Sequence, residues 1–215
     1  ALDRLKREPR VGIDIETNGL RPQRLDNPRI LTCAIGTLDF TVAFPLDHAK
    51  GWGSSAQRRR AWDLLIDFLF NSGAKIAHNL AMELEWFGYF LGRKVLHELV
   101  WEDSMALAHT LDERPGTKSL DYQCRITYGF WLKSLSRIDS SRIEEYPLDD
   151  ALLYNGGDAK WTYGVFERRW SELVEVPAYR DEYQRKVVLA STLVEVEARG
   201  MLLDEVEVER QIDLI

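Results

Sequence analysis

Apolar and polar residues alternate from Val11 to Glu16. Val11, Ile13 and Ile15 fall on one side, and Gly12, Asp14 and Glu16 on the other. A period of two predicts a β-strand that presents two acids on one face. Residues 30 to 44 are rich in apolar and β-branched side chains and are broken by Gly36-Thr37. They predict two further strands joined by a turn. The period then changes. Trp62, Leu65, Ile66 and Leu69 recur as on one face of a helix over residues 60 to 70. A short buried strand is expected at 74 to 77, a helix at 80 to 91, a strand at 98 to 101 and a helix at 104 to 111. The stretch from Asp112 to Ser119 mixes Pro, Gly, Thr and charges, and reads as a loop.

Short helices with a polar break at Ser134 to Ser141 are expected up to residue 150. A longer helix follows over 149 to 174, which Pro177 interrupts or follows. From Asp181 to Arg199 a second long helix places Tyr183, Val187, Ala190 and Val194 on one face, and Gly200 suits its end. Asp204 with Glu207 three residues later has the form of a helix cap. The sequence stops at Ile215 inside that helical pattern and begins without Met, so it is expected to be a piece of a longer chain. Strands first, then strands alternating with helices, predict an α/β fold: a mixed sheet with helices on its faces. The expected division is a domain over 1–180 and a helical segment over 181–215.

Composition narrows the class. The hydrophobic fraction is 45% over 215 residues, with seven Trp, which suits a folded domain with a sizeable core. No apolar run is long enough to span a bilayer, and residues 1 to 10 lack the apolar centre of a signal peptide. The two cysteines, Cys33 and Cys124, have neither metal spacing nor a disulfide framework. An intracellular, cytoplasmic setting is therefore expected. The net charge of −7 argues against a surface that coats nucleic acid, but not against an enzyme that holds it through cations.

Three acidic motifs supply the candidate chemistry. They are Asp14-Ile15-Glu16-Thr17, His78-Asn79 with Glu83, and Tyr154 with Asp158. At 100° per residue, Glu83 lies about 60° from Leu80, on the flank of the apolar stripe Leu80, Leu84, Phe87 and Leu91. Glu85 lies roughly 140° away, towards solvent by the same geometry. Tyr154 and Asp158 are one turn apart on a face continued by Trp161 and Val165. Gly157 borders that face and would allow close approach of a neighbour. Two carboxylates about 5 Å apart repel by roughly 3 kcal/mol at an effective dielectric near 20. Four of them call for cations, and two Mg²⁺ or Mn²⁺ ions would cancel the charge. Such a pair can activate a water and stabilise a leaving oxygen.

The motifs resemble those of the DEDD superfamily of 3′–5′ exonucleases, in its tyrosine-containing branch, and in particular the proofreading domain of family-A DNA polymerases. The matching segments are Asp14 to Leu20, Ala77 to Glu83 and Tyr154 to Asp158, with Asp103 to Ala108 and Lys118 to Leu120 between them. Val194 to Asp204 is similar to the start of that family's polymerase region. Glu83 stands where the family usually has Asp, which moves the carboxylate by about an ångström.

The resemblance implies a ribonuclease H-like mixed sheet flanked by helices, with a C-terminal helical extension. It implies removal of nucleotides from a DNA 3′ end as part of proofreading. Asp14, Glu16 and Asp158 would hold one metal and Asp14 with Glu83 the second. Tyr154 would position water, and Leu20 and Asn79 would contact the terminal nucleotides. The implied partners are a single-stranded or frayed 3′ DNA end and the rest of a polymerase chain. No membrane is implied, and the isolated piece would be a monomer. The alternatives are a weakened module that binds DNA ends or braces a polymerase, and an exoribonuclease similar to ribonuclease D.

Several of these residues have plainer roles open to them. Asn79 suits the N-cap of the helix at 80, and Asp103 suits a cap for the helix at 104. Leu20 could simply pack, and His78 reads as a packed or loop residue. Arg58, Arg59 and Arg60 read as a solvated face or a phosphate contact. The Trp side chains read as core, save any exposed one that could stack on a base.

Overall fold

Val11, Ile13 and Ile15 are buried to within 2% exposure, and their strand is the centre of the sheet. The computed structural model describes residues 1–200 and 204–212. After a short helix α1 (Leu2–Leu5) come β1 (Arg10–Thr17), β2 (Ile30–Gly36) and β3 (Thr41–Pro45). Then follow α2 (Ser55–Asn71), β4 (Ala74–Ala77), α3 (Leu80–Leu91), α4 (Lys94–His97), β5 (Trp101–Asp103), α5 (Ser104–Leu111) and α6 (Leu120–Tyr128). Two 3₁₀ segments, Leu132–Leu135 and Ser140–Glu145, lead into α7 (Leu148–Val174), α8 (Pro177–Arg199) and α9 (Glu205–Ile212).

The sheet order is β3-β2-β1-β4-β5. β1, β2 and β3 pair antiparallel in succession, whereas β4 runs parallel to both β1 and β5. The fold is thus the mixed sheet with flanking helices that the patterning predicts. Strand alternation divides the two layers. Val11, Ile13 and Ile15 join Cys33, Ile35 and the buried faces of α2 and α3 in the main core. The opposite face carries Gly12, Asp14 and Glu16 and receives α7, which crosses β1, β2 and β3.

Local chemistry sets most boundaries. Ser54 caps α2 by accepting from Gln57 N–H, and Ser119 caps α6 through Tyr122 N–H. Gly129 and Gly200 adopt positive φ at the ends of α6 and α8. Asp204 accepts from Glu207 N–H, as the spacing predicts. Pro177 follows α7 and starts α8, where its missing N–H is harmless. Tyr183 and Val194 of α8 are buried, and α8 packs on α3 and α5. Of the Val194–Asp204 segment, Met201 to Leu203 lie outside the described residues, as do residues 213 to 215.

Two expectations change. The strand expected at 98 to 101 is Trp101–Asp103, because pairing with Lys75–Ala77 fixes its register. Close approach to α7 depends on Gly12, not Gly157. A Cβ at Gly12 would lie 2.1 Å from the Ala159 carbonyl oxygen, whereas one at Gly157 meets nothing within 4 Å. Gly157→Ala should therefore stabilise the fold by about 0.5–1 kcal/mol through helix propensity. Urea denaturation tests this, and a loss of stability would mean that α7 is crowded there after all.

Candidate active site

Asp14 and Glu16 stand on the α7 side of β1, where successive even positions meet the same helix. Asp14 is opposite Ala34 and Glu16 opposite Thr32 on β2, so small neighbours leave room above the acids. The register slips between Glu16 and Thr17, which ends regular pairing just past the second acid. Asp158, one turn after Tyr154 on α7, completes a cluster. One oxygen from each of Asp14, Glu16 and Asp158 lies within 4.8 Å of the others.

Glu83, on α3, is not among the three acids that meet there. It is 1% exposed, and its Oε2 has no hydrogen-bond partner. Burial pushes its pKa well above the usual carboxylate range, and Asp14, Asp103 and Glu16 add to this. Glu85 instead accepts from Arg21 and Gln23, away from the cluster. Helical angle thus separates the buried Glu83 from Glu85, which is ion-paired with Arg21 rather than free in solvent.

The remaining acids are perturbed in the same direction. Burial first, then Asp158, raises Asp14, and a hydrogen bond from Asn155 opposes the rise. Burial raises Glu16, with Asp14 and Asp158 contributing. Asp158 is pushed up to about 6 by burial, against the nearby Tyr154 hydroxyl and Lys133. The Tyr154 hydroxyl is itself pushed up by burial and by Asp158, so it stays protonated across the physiological range. Among the described residues, no ion pair engages Asp14, Glu16, Glu83 or Asp158. Asp14, Glu16 and Asp158, with the buried Glu83 and its unpartnered oxygen, form a donor set that suits hard divalent metals.

This has a pH signature. A carboxyl whose folded pKa is raised adds stability at low pH, and that contribution is lost as pH rises through the folded value. In a chelator, the melting temperature should fall as pH rises from about 4, through the Asp158 value of about 6, and beyond. Mg²⁺ should reverse the fall at the upper end, because metal binds the deprotonated acids. Thermal scans across pH with and without Mg²⁺ check this. Identical profiles would show that the cluster neither stores repulsion nor takes up metal.

Asn155 is the clearest residue that sequence reasoning missed. It is fully buried, and its Nδ2 donates to Asp14 Oδ2 at 2.6 Å. The available signal was its place three residues before Asp158, on the same helical face. Asp103 lies behind the second motif and is a cap, as its position suggests. It accepts from Met105 and Ala106 at the start of α5, and also from Asn79 and Leu80 at the start of α3.

Asn79 does occupy the N-cap position, but its side chain makes no capping bond. It has φ of 78°, the only positive value at a non-glycine among the described residues. His78 is held by Ser104 Oγ at 2.8 Å and joins no acidic cluster; burial lowers its pKa to about 4. Leu20 is 85% exposed, so it does not pack, and Arg58, Arg59 and Arg60 are exposed. Trp52 and Trp131 are the exposed indoles, whereas Trp86 and Trp101 are core.

A groove of about 1040 Å³ opens beside Tyr154 and Asp158. Leu132 and Trp161 supply apolar lining, and the charged lining is mixed, with Lys133, Arg137 and Lys160 beside Asp121, Asp149, Asp150 and Asp158. Among the described residues, no helix is long and apolar enough to cross a membrane.

No family model matches the sequence, and no curated protein matches it. Solved structures do share its shape. NrnC from Brucella melitensis with bound Mg²⁺ is 17% identical, with a TM-score of 0.61, covering 91% of this chain and 88% of that one. RNase D from Escherichia coli, described as an exoribonuclease involved in structured RNA processing, is 19% identical with a TM-score of 0.60, covering 91% and 47%. The catalytic core of RRP6 from Trypanosoma brucei is 16% identical with a TM-score of 0.60, covering 88% and 48%. At these identities the likeness is one of fold, and the fold is the ribonuclease H-like sheet of these nucleases.

Proposed function

We propose that this chain is a metal-dependent 3′–5′ exonuclease acting on single-stranded nucleic-acid ends. The observation that carries the reading is the convergence of Asp14, Glu16 and Asp158 within 4.8 Å, next to the unpartnered Oε2 of Glu83. Asp14, Glu16 and Asp158 would hold one divalent ion, and Asp14 with Glu83 a second. Bound there, the ions would supply an activated water and charge stabilisation for the leaving oxygen. Tyr154, kept protonated, orients that water through its hydroxyl. Asn155 would help orient Asp14 by donating to its Oδ2. Leu20 and Asn79, both exposed, would meet the terminal nucleotides.

The sugar separates two readings of the same site. Likeness to RNase D supports RNA, and this reading has the structural support. A DNA-proofreading role rests on the sequence resemblance alone, including the Val194–Asp204 segment. Incubation of 5′-labelled RNA and DNA strands with Mg²⁺ or Mn²⁺, beside Asp14→Ala, tests both. A ladder shortened from the 3′ end, absent in the variant, is expected. Faster shortening of one strand identifies the sugar. Binding without shortening under either ion would sink the enzyme and leave an end-binding module.

A further inference from the structure

One buried tyrosine joins α8 to the second acidic motif. Tyr183 of α8 is 1% exposed. Its hydroxyl donates to Glu102 Oε2 at 2.5 Å and accepts from Asp103 N–H at 3.0 Å. The hydroxyl thus has both a donor and an acceptor contact on β5. Asp103 then turns its carboxylate to two helix starts. Oδ1 accepts from Asn79, Met105 and Ala106, and Oδ2 accepts from Leu80 at 3.1 Å. Asn79 is the residue with positive φ, a conformation that its surroundings must hold against a cost of about 1–3 kcal/mol. The direction in which α3 leaves that turn decides where Glu83 points one turn later.

We infer that Tyr183 is a positioning residue for the metal site, acting through Asp103 on the Asn79–Leu80 turn and so on Glu83. Packing alone does not require the hydroxyl. The ring already sits against Phe166 and Trp170, at centroid distances of 6.3 and 5.7 Å, and phenylalanine would keep those contacts. The hydroxyl is what sets the rotation of β5 about Asp103. The segment after residue 180 then contributes to the chemistry and does not merely follow it. The effect on cleavage rests on the nuclease reading above, whereas the effect on the metal-free backbone does not.

Hydrogen exchange on the metal-free chain is the primary test. In Tyr183→Phe, amides of residues 78 to 84 should exchange about tenfold faster, with α2 unchanged. Phe166→Leu loosens the same apolar cluster without touching the hydroxyl. It should lower the melting temperature but leave exchange at 78 to 84 as in wild type. Mn²⁺ titrated into Tyr183→Phe should bind its weaker site about tenfold less tightly. Cleavage should show a lower kcat with KM within about twofold.

Wild-type exchange at 78 to 84 in Tyr183→Phe, or an equal rise in α2, would overturn the proposal. Should that variant not fold, Asp103→Asn probes the next link, since an amide cannot accept from both Asn79 and Leu80 through two oxygens. Wild-type exchange there would overturn the proposal equally. A wild-type chain that cleaves nothing while Tyr183→Phe still frees residues 78 to 84 would reject the nuclease and retain the relay.

Discussion

Asp14→Asn is expected to remove cleavage by about 10³-fold or more while raising the melting temperature of the metal-free chain. Both effects follow from one position. Asp14 clusters with Asp158 and Glu16, and it contributes to the raised pKa of Glu16 and of Glu83. An amide of the same size keeps the packing and can still accept from Asn155, yet carries no charge to hold a cation. Relief of repulsion should raise the melting temperature in chelator by at least about 2 °C, because each 1 kcal/mol shifts a chain of this size by about 2–4 °C. Mg²⁺ should then stabilise the wild type far more than the variant. Two measurements decide it: single-turnover cleavage, and thermal scans with and without Mg²⁺. Retained cleavage would remove Asp14 from the site. Lost cleavage with an unchanged melting temperature would mean that the acids do not strain the fold.

Gly12→Ala should cost at least about 3 kcal/mol, the upper end for overpacking a core. The new methyl would meet a backbone carbonyl at 2.1 Å and Tyr163 Cβ at 3.0 Å, neither of which can rotate away. Gly12 is held on both sides, against Gly36 of β2 and Ile76 of β4, so β1 cannot retreat. The entropy that alanine removes from the unfolded chain offsets only about 0.4–1 kcal/mol. Ala159 follows Asp158 directly, so any folded variant must lift Asp158 away from Asp14. Urea denaturation at fixed temperature measures the loss, and Mn²⁺ titration reads the displacement. A loss below about 1 kcal/mol with intact metal binding would show that α7 can shift without disturbing the acids.

The sequence reveals those parts of the site that local geometry controls. Alternation at 11 to 16 placed both β1 acids on one face. Rotation about α3 separated Glu83 from Glu85, and one-turn spacing joined Tyr154 to Asp158. Contacts set by distant chain were not legible. Asn155 meets Asp14 across 141 residues, and its helical face shared with Asp158 hints at a place in the site without naming that partner. Gly157 offered a plausible close approach, yet the crowded glycine was on the strand beneath it.

Asp14 and Asp158 stand far apart in the sequence, and the three acids meet only when α7 docks on the sheet. A chain emerging from the ribosome displays Asp14, Glu16 and Glu83 long before it has Asp158. Its sheet face stays open and its metal cluster incomplete until one of the last helices arrives. Domains fold as units during synthesis, so completion of the core and completion of the cutting site coincide. On the nuclease reading, the order of the motifs along the chain therefore acts as a safeguard. A truncated or half-folded copy is inert towards the nucleic acid around it, with no need for an inhibitor.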